Sequence, residues 1–137
     1  MDVMFFWISF VLYFLSTVCH VAYMALNRER LSSAATLFIT SGLVFQTVAL
    51  VLRSIASGHL PLTNMFEYFT VLAWFAALTY LISAVKINSR VLEAIAGPVI
   101  FMLYVSASLF PKEASQQLMP ALQSYWLQIH VTLAAAG

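Results

Sequence analysis

The chain has 137 residues, 63% hydrophobic and 8% charged, with a formal net charge of +1. Soluble domains carry about 25% charged residues, and a soluble fold of this size cannot bury so much apolar surface. The composition therefore excludes a soluble domain. The near-neutral charge leaves no basic patch for nucleic acid, and the single Cys19 excludes a disulfide framework or a CxxC redox pair.

Eleven charged side chains punctuate the sequence, and the apolar runs between them are long enough to cross a bilayer, which takes about 20 residues. Four complete spans are predicted at about 4–26, 35–57, 64–86 and 91–110, and a fifth starts at about 121 and is still running at 137. Backbone groups in lipid must be satisfied within their own segment, so the spans are helices. No period-two alternation suggests a barrel. The expected fold is all-α: a polytopic membrane helix bundle, read as one membrane domain over 1–137.

The first run, "MDVMFFW" onward, has no positive n-region, so it is read as a span and not as a cleavable signal. Loop "NRERLSSAA" carries Arg28 and Arg30, and "KINSR" carries Lys86 and Arg90. Loops "SGHLPLT" and "PKEASQQLMP" hold one Lys and no Arg, with Arg53 just inside the end of the second span. Positive residues stay cytoplasmic, which predicts an extracytoplasmic N-terminus, with the first and third loops inside and the second and fourth outside. Trp7 and Trp126 then fall near the outer interface, and Tyr23 and Tyr80 near the inner one.

Few residues can carry chemistry. His20, in the first span beside Cys19 and Tyr23, is either a functional membrane histidine or a hydrogen-bonded packing residue. In the second loop, "RSIASGHLPLTNMFEYF", Gly58 and Pro61 break the second helix. Asn64 and Glu67 have the spacing of a capping box, which explains both without function. Yet a glutamate entering lipid needs a partner, and Arg53 and His59 lie toward the same outer surface. Gly97-Pro98 is expected to kink the fourth span.

The fifth segment opens at Pro120 and stays polar through Gln123, Ser124 and Gln128, so it suits an interface. His130 stands where the apolar run begins, with Trp126 at i−4 on the same face. Two readings are open. An imidazole beside an indole at the outer mouth can ligate a metal or a flat cofactor. An interfacial histidine can equally well bond to headgroups or loop carbonyls. No side chain is read as catalytic, and no CxxCH occurs, so the chain does not itself carry c-type haem.

Two stretches, "GHLPLTNMFEY" and "LMPALQSYWLQIHV", resemble the CcsA/ResC proteins of cytochrome c biogenesis, from about residue 40 to the end. The second resembles the segment that precedes that family's tryptophan-rich domain. The resemblance implies an N-terminal portion of a longer cytochrome c assembly protein, with that domain and a second external histidine lying beyond residue 137. It implies that His130, beside Trp126, is an axial ligand of haem iron, and that Arg53, His59, Asn64 and Glu67 support the outer loop. Haem b is then cargo, presented outside the membrane to apocytochrome c for thioether formation as part of a haem lyase, the piece alone being inactive. A CcsB/ResB-like membrane partner is implied, in a bacterial cytoplasmic or thylakoid membrane. His20 has no clear counterpart among the family's haem-ligating membrane histidines. The alternative is a non-catalytic membrane module, either a transporter segment or an assembly partner.

Overall fold

The computed structural model describes residues 1–87, 89–112 and 125–137. They form five helices: α1 (Asp2–Leu26), α2 (Glu29–Ser57), α3 (Met65–Lys86), α4 (Arg90–Ser108) and α5 (Tyr125–Ala136). The first four are long and apolar enough to cross a membrane, and the chain is an integral membrane protein.

The ends follow local chemistry. Asp2 in the first turn of α1 faces the positive end of the helix dipole. Asn27 stops α1 in the left-handed conformation, φ 52°, and its N–H donates to the Tyr23 carbonyl at 2.8 Å. Asparagine is among the few residues other than glycine that adopt this cap readily. Gly58, φ 73°, stops α2 in the same way. Asn64 caps α3, its Oδ1 accepting from the Glu67 N–H at 2.8 Å. α2 starts at Glu29, six residues before the expected 35, because the polar stretch "ERLSSA" stays helical after the apolar run ends. α4 runs unbroken through Pro98 and ends at Ser108. Pro120 and residues 121–124, the expected start of the last segment, lie outside the described residues.

Short connections make successive helices antiparallel. α1 packs on α2 and α4, α3 packs on α4 and α2, and α5 lies on α3. The start of α1, the 58–64 loop and the end of α4 thus share one end of the bundle, called here the Arg53 end. Residues 27–28, the end of α3 and the start of α4 mark the opposite end.

The bundle inverts the polarity of a soluble protein. The exposed face of α1 carries Val11, Phe14, Val18 and Val21, whereas its buried face carries Phe6, Ser9, Tyr13, Ser16, His20 and Tyr23. Lipid is as apolar as leucine, so close packing and interhelical hydrogen bonds hold such helices together. Phe6 stacks on Tyr104 at 4.6 Å between ring centroids, and Tyr13 meets Tyr104 edge-on at 5.1 Å. A Cβ on Gly42 would stand 2.8 Å from Tyr13 Cε1, so the glycine lets α2 close on the tyrosine ring. Tyr13 donates to Gln46 Oε1 at 2.5 Å, and Gln46 Nε2 donates to the Thr70 carbonyl at 2.6 Å, which ties α1, α2 and α3. Tyr23 and Tyr80, expected at the water interface, are both buried and face the bundle.

Candidate functional site

A buried ion pair sits at the Arg53 end. Arg53 lies in the last turns of α2 and is 2% exposed, while Glu67, in the first turn of α3, is fully buried. Arg53 Nε donates to Glu67 Oε1 at 2.7 Å. Its Nη1 donates both to Asp2 Oδ2 at 3.0 Å and to the Lys112 carbonyl at 2.7 Å. The guanidinium also lies over the Phe66 ring, 4.8 Å from its centroid. Among the described residues its Nη2 has no hydrogen-bond partner.

Glu67 resolves the choice between capping and pairing, because it does both with different atoms. Its backbone N–H serves the Asn64 cap. Its Oε1 takes Arg53, and its Oε2 accepts from the Thr63 N–H at 2.7 Å and the Thr63 hydroxyl at 2.6 Å. A carboxylate receiving three donors in a closed pocket is a holding group and is poorly placed to act as a base. His59 Nδ1 lies 2.9 Å from the Leu60 carbonyl. Two participants were missed by the sequence reading, Asp2 and Lys112. Lys112 Nζ donates to the Ser108 carbonyl at 3.1 Å and sits over the rings of Trp7 and Phe6, at 5.1 and 5.7 Å. Asp2 and Glu67 are thereby balanced by Arg53 and Lys112. The signal for Asp2 was present, since the loop charges already placed it at the same end as Arg53.

His20 lies toward the other end, fully buried. Its Nε2 is 3.3 Å from the Tyr80 hydroxyl, which is also 3.3 Å from Thr36 Oγ1. These three residues join α1, α3 and α2. Its Nδ1 has no partner among the described residues and lies against Gly97, where a Cβ would come within 2.5 Å. Ser32 donates to Glu93 Oε2 at 3.0 Å and joins α2 to α4. His20 thus packs between Tyr80 and Gly97.

α5 places His130. Ala135 is buried, and Thr132 lines a recess of about 350 Å³ with residues of α2, α3 and the 60–62 loop. On a helix His130 is displaced by about 160° from Thr132, so it occupies the opposite side. His130 is indeed exposed, as is Trp126 at 80%. Indole and imidazole stand one turn apart on a face turned away from the four-helix bundle. An accessible imidazole with a flat aromatic beside it can take a metal ion or a flat cofactor. Among the described residues no group of three metal-ligating side chains assembles, so a closed protein metal centre is not formed there.

No family model matches the chain, and no solved structure does. Curated relatives do. The chain is 35% identical over 130 residues to the cytochrome c biogenesis protein CcsA of Cycas taitungensis, covering 92% of this chain and 40% of that protein. It is 32% identical over 127 residues to CcsA of Marchantia polymorpha, covering 90% and 40%. It is 34% identical over 105 residues to CcsA of Prochlorococcus marinus (strain MIT 9303), covering 74% and 33%. The chain thus spans 33–40% of the length of these relatives.

Proposed function

We propose, for a chain that is a relative of the CcsA proteins over most of its length, that it forms the N-terminal portion of a membrane subunit of cytochrome c biogenesis. In this reading the Arg53 end faces outside, and the subunit holds haem b there for attachment to apocytochrome c. His130 supplies an axial nitrogen to the haem iron and Trp126 flanks it. The observation that carries the reading is the exposed Trp126–His130 face of α5, in a sequence matched to proteins named for cytochrome c biogenesis.

Haem enters as substrate. Attachment adds a cysteine S–H of the apocytochrome across each haem vinyl group, a step with no net redox change. The contribution of this chain is to bind and orient. A neutral imidazole at the membrane boundary holds iron, while the open face leaves room for a protein substrate. The neighbouring indole supplies a flat apolar wall. A CcsB/ResB-like protein is the proposed membrane partner, and the membrane is the bacterial cytoplasmic or the thylakoid membrane.

The test is His130→Ala in the full-length gene product. The side chain is exposed and alanine is the best helix former, so the fold survives. The expected result is loss of bound haem, or a shifted visible spectrum, together with failed cytochrome c maturation. Wild-type haem stoichiometry, spectrum and maturation would return His130 to an interfacial role and the chain to a non-catalytic membrane module.

A further inference from the structure

We propose that a cleft between α1 and α4, at the end of the bundle opposite Arg53, binds one anionic phospholipid, with its phosphate on Arg28 and Arg30 and an acyl chain in the cleft. The inference goes beyond the haem reading and does not depend on it. The cleft has a volume of about 330 Å³ and is lined by Tyr23, Met24 and the cap residue Asn27 on one wall, and by Val91, Ala94 and Ile95 on the other. Met24, Val91 and Ile95 are exposed, so the cleft opens sideways to the acyl region, while Tyr23 is buried. α4 has 19 residues and is therefore about as long as the hydrocarbon layer is thick, about 30 Å. Val91 to Ile95, in its first turns, then lie level with the first acyl carbons, and residues 27–30 lie level with the headgroups. Arg28 and Arg30 are exposed, and among the described residues neither has a carboxylate within ion-pair distance. Glu93, the acid at the start of α4, is engaged by Ser32. Arg28 directly follows Asn27 of one wall, and Arg90 directly precedes Val91 of the other. Retention of positive residues on one side of a membrane accounts for arginines at this end, but it calls for no cleft beneath them. An apolar helix seated in the cleft would leave both guanidiniums without an anion. An anionic amphiphile answers to both features. Guanidinium and phosphate form strong charge-assisted bonds, the apolar walls take methylene groups, and the Asn27 amide can donate to an ester carbonyl. Basic pockets between membrane helices take anionic headgroups in the same manner.

The experiment is native mass spectrometry of the detergent-solubilised full-length protein, titrated with phosphatidylglycerol or with phosphatidylcholine of identical acyl chains. Wild type should hold one phosphatidylglycerol about 5- to 30-fold more tightly than phosphatidylcholine, as expected for one or two arginines beside an anionic headgroup. The double variant Arg28→Gln with Arg30→Gln should lose that preference and keep wild-type affinity for phosphatidylcholine. Both side chains are exposed, so the fold survives the change. Lys86→Gln removes one charge from the same end, but from α3, which lines no part of the cleft, and should keep most of the preference. Ala94→Leu fills the cleft and should weaken both lipids alike. Excess inorganic phosphate should leave the lipid bound, because the acyl chain supplies part of the affinity. Equal affinity of wild type for the two lipids would overturn the proposal, as would a preference that survives loss of both arginines. A Lys86→Gln effect as large as that of the arginine pair would reduce the preference to diffuse surface charge and also overturn it. So would wild-type binding by a folded Ala94→Leu protein, or displacement by inorganic phosphate, which would make the arginines a site for a small anion alone. If Ala94→Leu does not fold, the exposed arginine pair decides.

Discussion

The imidazole of His20 occupies the space that a side chain on Gly97 would need: a Cβ there would stand 2.5 Å from His20 Nδ1. Adding one methyl to a filled interior costs about 1–3 kcal/mol. Gly97→Ala should therefore destabilise the bundle by that amount. His20→Ala should also destabilise it, by opening a cavity and stripping Tyr80 of a partner. Combined, the two changes should cost less than their sum, since the new methyl fills the new space. Thermal unfolding of the four proteins in one detergent measures this, and strict additivity would mean that the two residues do not meet.

Glu67→Gln preserves the α3 cap, because that bond uses the backbone N–H and Asn64. It still removes the charge facing a buried guanidinium. Losing one partner of a buried pair costs about 3–5 kcal/mol, and the low end applies because Asp2 remains 3.0 Å from Arg53 Nη1. Asn64→Ala, which removes only the cap, should cost about 1 kcal/mol. The order of the two variants in a denaturation series is the check; a smaller effect for Glu67→Gln would leave capping as the main role of this region.

Tyr13→Phe removes the donor to Gln46 while leaving the ring edge-on to Tyr104. Interhelical hydrogen bonds in membranes are worth about 0.6–2 kcal/mol, so the loss should be modest. Gln46→Leu should be worse, since it frees both the Tyr13 hydroxyl and the Thr70 carbonyl. Equal stability of both variants with wild type would show that this tie between α1, α2 and α3 contributes nothing.

The proposed orientation is checked by labelling. In a Cys19→Ala background, Ser115→Cys should react with an impermeant thiol reagent in intact cells, and Glu29→Cys, at the exposed start of α2, should not. The reverse pattern would turn the Arg53 end to the cytoplasm and withdraw the extracytoplasmic haem reading.

What the sequence revealed depended on range. The spans were legible because lipid demands an unbroken apolar run, and the observed helices fall on them. The start of α2 was not, because helical hydrogen bonding continues past the point where hydropathy fades. Arg53 and Glu67 were recognisable as candidates for each other, being charges at one end of adjacent spans. Arg53's grip on Asp2 and Lys112 joins residues 51 and 59 positions apart, and no local pattern announces such pairs. His20 and Tyr80 are 60 positions apart and were read separately, as a buried histidine and an interfacial tyrosine. His130 was singled out by its residue type and setting, and the structure adds what the pattern could not: it stands on the exposed side of α5.

The Arg53–Glu67 pair also bears on how the chain is made. An arginine and a glutamate each weaken the tendency of a helix to leave the insertion machinery for lipid on its own. Fourteen positions apart across a seven-residue turn, 58–64, the two charges neutralise each other as soon as α2 and α3 lie side by side. Release of α2 and α3 into the bilayer is therefore favoured as a single hairpin, so that a substitution at Glu67 handicaps the membrane entry of α2 even though it lies outside that helix.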